Sequence, residues 1–288
     1  MKKILTAINA LLLVFLSACA SEKTPQTETN SVGDITVYAS FYPIYDFAQK
    51  IGGDKITVRS LVPTGVEPHE WEPSAADVAL LSSASLLILN GANMESWADD
   101  IKVNKINLSD DVTLMEAEDG VDPHAWLDPS LAKIYAKTIA DELSKLDTEN
   151  KDYYQSNYDY YAEKFDGLDK AYRDKLSEIR VKAIITSHEA FGYLCAAYGV
   201  KQVSAEGVTP DSEPHPARIA EIIEYAKQNQ INVIFYENGG SDKVARTIAD
   251  AVGGEISALD TLEYLNDAEG DYFSVMESNL DALYEALR

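Results

Sequence analysis

The sequence predicts an α/β fold in which two parallel-sheet lobes are bridged by a single long helix. Three observations predict it. Strand-like and helix-like segments alternate from residue 34 to 108, they alternate again from 181 onward, and residues 129–179 between them carry helical periodicity with no strand signal. Alternation of this kind implies parallel sheets covered by helices, and its interruption separates two sheets.

In the first set, 35–39 reads as a strand and 42–51 as a helix stopped by Gly52-Gly53. Residues 56–62 read as a second strand. A helix is expected over 74–83, just after Pro73, with Ser74 placed to cap it. The uninterrupted apolar run at 85–89 suits a strand buried on both faces. A short helix over 93–101 and a strand at 105–108 complete the set. In the second set, strands are expected at 181–186, 201–205, 232–236 and 255–259. Helices are expected at 189–198, closed by Gly199, and at 216–228, with Pro216 in its first turn. Two more follow at 241–252, ended by Gly253-Gly254, and at 271–287.

Between the sets, 129–146 reads as one helix and 148–179 as a longer one, with Tyr154, Tyr158, Tyr161, Phe165, Leu168, Tyr172 and Leu176 at helical spacing. About 30 residues at 1.5 Å each make roughly 45 Å of helix, read here as a rigid strut that limits hinge motion. The expected organisation is an N-terminal lobe over 34–147, a linking helix over 148–179 and a C-terminal lobe over 180–288.

The start of the chain has a different character. Lys2 and Lys3 precede a largely apolar run over 4–16, too short to span a bilayer comfortably and suited to a secretory signal. It ends in Leu16-Ser17-Ala18-Cys19, which resembles the bacterial lipobox. Residues 1–18 are therefore expected to be a lipoprotein signal peptide, with Cys19 lipidated as the mature N-terminus. Residues 19–33, rich in Thr, Ser, Glu and Asn, read as a flexible tether. The mature body would then be extracytoplasmic and anchored to the cell membrane by its lipid.

Formal net charge is -24 over 288 residues, or -26 once Lys2 and Lys3 are removed. Such a surface argues against nucleic acid, because nothing in it could neutralise a run of phosphates. With Cys19 committed to lipid, Cys195 is the one cysteine left, so no disulfide framework is possible. Its apolar neighbours make Cys195 a small buried hydrophobe.

The chain has four histidines, so each needs its own argument. His69 lies in the loop leaving the second expected strand, and His188 directly follows the strand at 181–186. Both occupy carboxyl ends of parallel strands, where open α/β sheets bind ligands. His124 lies in Asp122-Pro123-His124-Ala125-Trp126-Leu127-Asp128-Pro129, just before the central helices. His215 precedes Pro216 at a helix start and reads as a surface residue. Three loop histidines converging on a cleft would suit a borderline-soft metal, with a carboxylate from Leu259-Asp260-Thr261-Leu262-Glu263 completing a tetrahedron. Spacing alone leaves this metal site and three unrelated structural histidines equally open.

Four motifs in order carry a resemblance that runs from about residue 34 to the end. They are Gly65-Val66-Glu67-Pro68-His69-Glu70-Trp71-Glu72-Pro73-Ser74, the Asp122–Pro129 segment, Thr186-Ser187-His188-Glu189-Ala190-Phe191-Gly192-Tyr193, and Leu259-Asp260-Thr261-Leu262-Glu263. In these the chain resembles the zinc-binding solute receptors of ABC-type importers, the cluster A-I family. The resemblance implies two α/β lobes bridged by one long helix, with the metal site in the cleft between them. It implies His69, His124 and His188 as ligands, with Glu263 as the fourth and Asp260 as the fallback. It also implies Zn2+ as the transported ligand, a membrane permease with its ATPase as partners, and a monomer. Manganese-type relatives carry a glutamate at the third position and an aspartate at the fourth, so His188 favours zinc. Two departures stand out. The His-rich loop common between the first two ligands shrinks to 115–121 and holds no histidine, and Thr261 stands where the family usually has proline.

A zinc hydrolase is the main competing reading. His69-Glu70 and His188-Glu189 invite it, but the helical zincin pattern needs a second histidine where Pro73 and Gly192 stand. A filled tetrahedron also leaves no position for a catalytic water, so no enzyme activity is expected. A surface adhesin and a manganese receptor of the same family also compete with the zinc reading.

Overall fold

The computed structural model describes residues 35–117, 120–209, 214–264 and 270–288. The expected signal peptide, Cys19 and the tether lie outside the described residues. Strands β1 (Thr36–Ala39), β2 (Thr57–Ser60), β3 (Leu86–Leu89) and β4 (Lys105–Asn107) form a parallel sheet in the order β2-β1-β3-β4. Its first two crossovers carry α1 (Tyr42–Gly52) and α2 (Ala75–Leu81). A hairpin follows, β5 (Met115–Ala117) with β6 (Gly120–Asp122), and then α3 (Pro129–Leu146) and α4 (Lys151–Ser177). The second parallel sheet has β7 (Ala183–Thr186), β8 (Lys201–Ser204), β9 (Val233–Glu237) and β10 (Glu255–Leu259) in the order β10-β9-β7-β8. It is interleaved with α5 (Gly192–Ala197), α6 (Pro216–Asn229) and α7 (Lys243–Val252), and α8 (Tyr272–Leu287) closes the chain.

Period-two alternation assigns each strand residue to one of two cores. In the first sheet Val37, Ala39, Leu86 and Ile88 face a large shared core, whereas Tyr38, Leu87 and Leu89 face a smaller one. In the second sheet Ile184 and Phe235 face the shared core, and Ile185 and Ile234 face a core of their own beneath α6 and α7. All four residues of β3 are buried, which is why that run is continuously apolar.

The shared core is what joins the halves. It takes Phe47 and Ile51 from α1, Ile139 and Leu143 from α3, Phe165 and Tyr172 from α4, and Tyr272 and Met276 from α8. Phe165 is the junction, with its ring 5.7 Å from Phe47 on one side and 5.4 Å from Tyr272 on the other. Tyr172 donates to the Met276 carbonyl at 2.7 Å, and Asn157 donates to the Ile51 carbonyl at 2.9 Å. At 27 residues α4 is about 40 Å long. Further bonds tie α1 to the start of α8: Tyr42 donates to the Gly270 carbonyl, the Tyr272 amide donates to Asp46, and Lys50 bridges Asp46 and Asp271.

The structure departs from the sequence expectations in four places. The helix expected over 148–179 runs from Lys151 to Ser177, after a separate turn at Thr148–Asn150; Asn150 of the turn and Tyr154 of the helix both donate to Asp147. Residues 93–101 contain a single 3-10 turn, Ser96–Ala98, because Ala92 and Asn93 have positive φ and break the helical run. Helix α5 starts at Gly192 and not at 189, since the Ser187 amide bonds to the Phe235 carbonyl of β9 and the Glu189 amide to the Gly207 carbonyl. Within the segment expected as a loop, Met115–Ala117 pairs with Gly120–Asp122 as the strands β5 and β6. The cap at Ser74 is present: Ser74 and Asp77 exchange backbone–side-chain bonds in a capping box. Among the described residues no helix is long and apolar enough to cross a membrane.

Candidate metal site

The carboxyl ends of the strands in both sheets lead into one buried polar cluster. His69 arrives on the long loop after β2. That loop is held by Glu67, whose carboxylate accepts the His69 and Glu70 amides at 3.0 and 3.1 Å. Trp71 anchors it against Trp97, edge to face at 5.4 Å. His124 follows β6. Asp122 fixes it twice, accepting the His124 amide at 2.9 Å and lying 2.7 Å from Nδ1. His188 follows β7, and its own carbonyl accepts from Thr186 at 2.7 Å and Gln202 at 3.0 Å. Its ring lies between Glu237 Oε2, 3.2 Å from Nδ1, and the Val208 carbonyl, 3.1 Å from Nε2.

Glu263 comes from the loop after β10. Asp260 shapes that loop, accepting the Leu262 amide at 2.7 Å and the Asn238 side chain at 2.7 Å, while Leu262 is held at φ +66°. The Asp260 carboxylate therefore serves the turn, and it is Glu263 that reaches the histidines. Glu263 Oε1 lies 3.3 Å from Nε2 of both His69 and His124, and those two nitrogens are 3.2 Å apart. Ligand atoms of His69, His124 and His188 all lie within 4.8 Å of one another. His215, the fourth histidine, stands at the start of α6 and is not among them.

Two carboxylates that sequence reasoning did not single out complete the arrangement, Asp122 and Glu237. Each meets the Nδ1 side of a histidine, as metal-bound imidazoles are commonly backed, and Glu237 also lies close to Glu263. The signal for Asp122 was its place two residues before His124. Glu237 had only a positional one, a lone acid closing a buried strand whose neighbour in the sheet leads to His188.

Burial favours neutral groups, and here paired charges work against it. For His124 burial lowers the pKa, but Asp122 and Glu263 together outweigh it and push the imidazole up to about 10. His188 is likewise raised by Glu237 against burial. Burial, with the charge of Glu263 beside it, pushes the Glu237 carboxyl up to about 7. Glu263 goes the other way: burial alone would raise it, but His124 and His69 hold it well below the usual carboxylate range. Its Oε1 is buried and makes no hydrogen bond within the protein. An orphaned carboxylate oxygen beside three imidazoles is the donor set that a tetrahedral zinc takes.

The cross-links of the core continue around the site. Trp126, its ring 5.2 Å from that of His124, donates to the Thr261 carbonyl at 2.8 Å, and Tyr272 donates to the Trp126 carbonyl at 2.8 Å. Tyr193 of α5 donates to the Asp122 carbonyl and accepts the Met115 amide, clamping the hairpin.

Comparison with known proteins extends the picture. Residues 37–286 match the family described as ZnuA, zinc-uptake complex component A, periplasmic. The chain is 36% identical over 306 residues to the high-affinity zinc uptake system protein ZnuA of Bacillus subtilis, covering 97% of this chain and 96% of that protein. It is 37% identical over 309 residues to the zinc-binding lipoprotein AdcA of Streptococcus pneumoniae, covering 98% of this chain but 60% of AdcA. Among solved structures, the laminin-binding protein Lmb of Streptococcus agalactiae, described as bifunctional with adhesin and metal-transporting activity, has a TM-score of 0.85 at 33% identity, over 88% of this chain and 100% of that one. The Zn(II)-bound ZnuA-like domain of S. pneumoniae AdcA has a TM-score of 0.78 at 38% identity, over 88% and 99%. The family match runs through both sheets, the long helix and all four clustered side chains, and the chain belongs to the ZnuA family of zinc-uptake complex components.

Proposed function

We propose that this protein is an extracytoplasmic receptor that captures Zn2+ through His69, His124, His188 and Glu263 and delivers it to an ABC-type importer. The observation that carries the reading is the buried, unbonded Oε1 of Glu263 among three imidazoles. Three nitrogens and one oxygen suit zinc, whereas manganese prefers a shell richer in oxygen. Four protein ligands fill a tetrahedron and leave no position for an activated water, so the metal is cargo and not a catalyst. Zinc would displace the proton that His124 carries, and Nε2 of His188 would leave the Val208 carbonyl to bind it.

The continuous core beneath α4 and the bonds from Trp126, Tyr272 and Lys50 across it oppose wide hinge opening. Release is therefore assigned to the ligand-bearing loops. A permease with its ATPase receives the metal, and a lipid on Cys19 keeps the receptor at the membrane.

The test is metal content and competitive zinc affinity of the soluble body, wild type beside His188→Ala. The reading requires one tightly held zinc in the wild type and a large loss of affinity in the variant. A wild type without zinc, or an affinity indifferent to His188, would overturn it.

A further inference from the structure

The two oxygens of Glu263 have different surroundings. Oε1 faces His69 and His124 and makes no hydrogen bond, whereas Oε2 lies 3.0 Å from the hydroxyl of Thr261. The same hydroxyl lies 2.5 Å from Glu237 Oε1, and the other oxygen of Glu237 is on His188. Thr261 is fully buried, so water cannot stand in for it. Its backbone is fixed as well, because its carbonyl accepts from Trp126. The single proton of this hydroxyl is shared in a three-centre bond between the innermost ligand carboxylate and, at the shorter distance, the carboxylate that orients His188.

We propose that Thr261 is a positioning and specificity-determining residue, whose hydroxyl holds back Oε2 of Glu263 so that this carboxylate binds the metal through Oε1 alone. Single-oxygen binding keeps the shell at four donors, the number zinc takes in closed protein sites. If both oxygens bound, the shell would grow to five and contain more oxygen, which moves the site toward manganese. Selectivity then rests on a side chain that never touches the metal. The same hydroxyl keeps Glu237 aimed at His188, so the third imidazole and the carboxylate are set together.

This inference rests on the zinc reading above, and cobalt(II) distinguishes the two. Four-coordinate cobalt absorbs visible light strongly, and five- or six-coordinate cobalt absorbs it weakly. The proteins to compare are wild type, Thr261→Val, which keeps the shape and removes the hydroxyl, and Thr261→Ser, which keeps the hydroxyl and removes the methyl. Wild type and Thr261→Ser should give the intense four-coordinate spectrum. Thr261→Val should give a weaker one, with zinc affinity down about 10- to 100-fold, as for other outer partners of a metal site, and a smaller preference for zinc over manganese. Equal spectra for wild type and Thr261→Val would overturn the inference, and so would a Thr261→Ser protein that behaves like Thr261→Val. Should Thr261→Val not fold, the carboxylate stretches of the zinc-loaded wild type decide. A separation wider than that of a free carboxylate marks binding through one oxygen, and a narrower one marks binding through two and would sink the inference. Failure of the zinc reading itself would look different, as a wild type that binds neither cobalt nor zinc.

Discussion

His124 and His188 both back onto a buried carboxylate, yet the two pairs are built differently. Asp122 sits two residues before His124, accepts its amide as well as meeting its ring, and approaches Nδ1 to 2.7 Å. Glu237 reaches His188 from the neighbouring strand, 49 residues away, at 3.2 Å, and is shared with Thr261. The local pair depends on one turn and moves with its histidine as a unit. The non-local pair depends on the register of β7 against β9, so it holds only while the second sheet and the loop after β10 keep their places. One half of the site is thus carried by a preset turn, and the other by a network that a small loop movement can undo.

Substitutions can break or sharpen this contrast. The largest effect is expected from Glu263→Ala or His124→Ala, each of which removes a ligand from the centre. Zinc affinity measured by chelator competition should fall by well over the roughly 100-fold that bounds loss of an outer partner. Next come the outer partners themselves. Asp122→Asn and Glu237→Gln should each weaken zinc by about 10- to 100-fold, with Asp122→Asn the worse of the two, because Asp122 holds both the amide and the ring of His124, whereas Glu237 meets His188 at the ring alone and at a longer distance. The reverse order in the same titration would contradict this contrast.

pH gives a third test. His124 is held up at about 10 in the metal-free protein, so it carries a proton throughout the neutral range. Zinc needs the neutral imidazole and must displace that proton, so affinity should rise with pH by about tenfold per unit for each proton released. Calorimetry in buffers of different ionisation enthalpy reads the release directly, and an affinity flat from about pH 6 to 9 would rule it out. The smallest effect is expected at Gly192, where a β-carbon would lie 2.6 Å from Asp122 Oδ2. Gly192→Ala should push Asp122 aside and lower affinity less than Asp122→Asn does, with Glu237 and His188 undisturbed.

How much of this was legible in the sequence follows from the same contrast. The alternation of elements and the apolar run of β3 are local patterns, and the corresponding strands and helices lie close to where the pattern puts them. Residues 93–101 misled because the apolar spacing is helical, while the backbone at Ala92 and Asn93 is left-handed and opens the segment as a turn. The β5–β6 hairpin was hidden because three-residue strands offer too short a pattern. In the site, the resemblance implied His69, His124, His188 and Glu263, and the fold brings these close together with Glu67 and Glu237 beside them. The resemblance put Glu263 first and Asp260 as the fallback, and in the structure the Asp260 carboxylate is bonded within the turn. Glu237 and the hydroxyl of Thr261 were out of reach, since their roles exist only once strands far apart in sequence lie side by side.

The proposed function requires zinc to sit among these four side chains. The most direct measurement is anomalous diffraction at the zinc edge from a crystal of the zinc-loaded protein. One strong peak is expected at about 2.0–2.2 Å from a ring nitrogen of His69, of His124 and of His188 and from Glu263 Oε1. A peak bound by Asp260 in place of Glu263, or one that leaves out any of the three imidazoles, would contradict it.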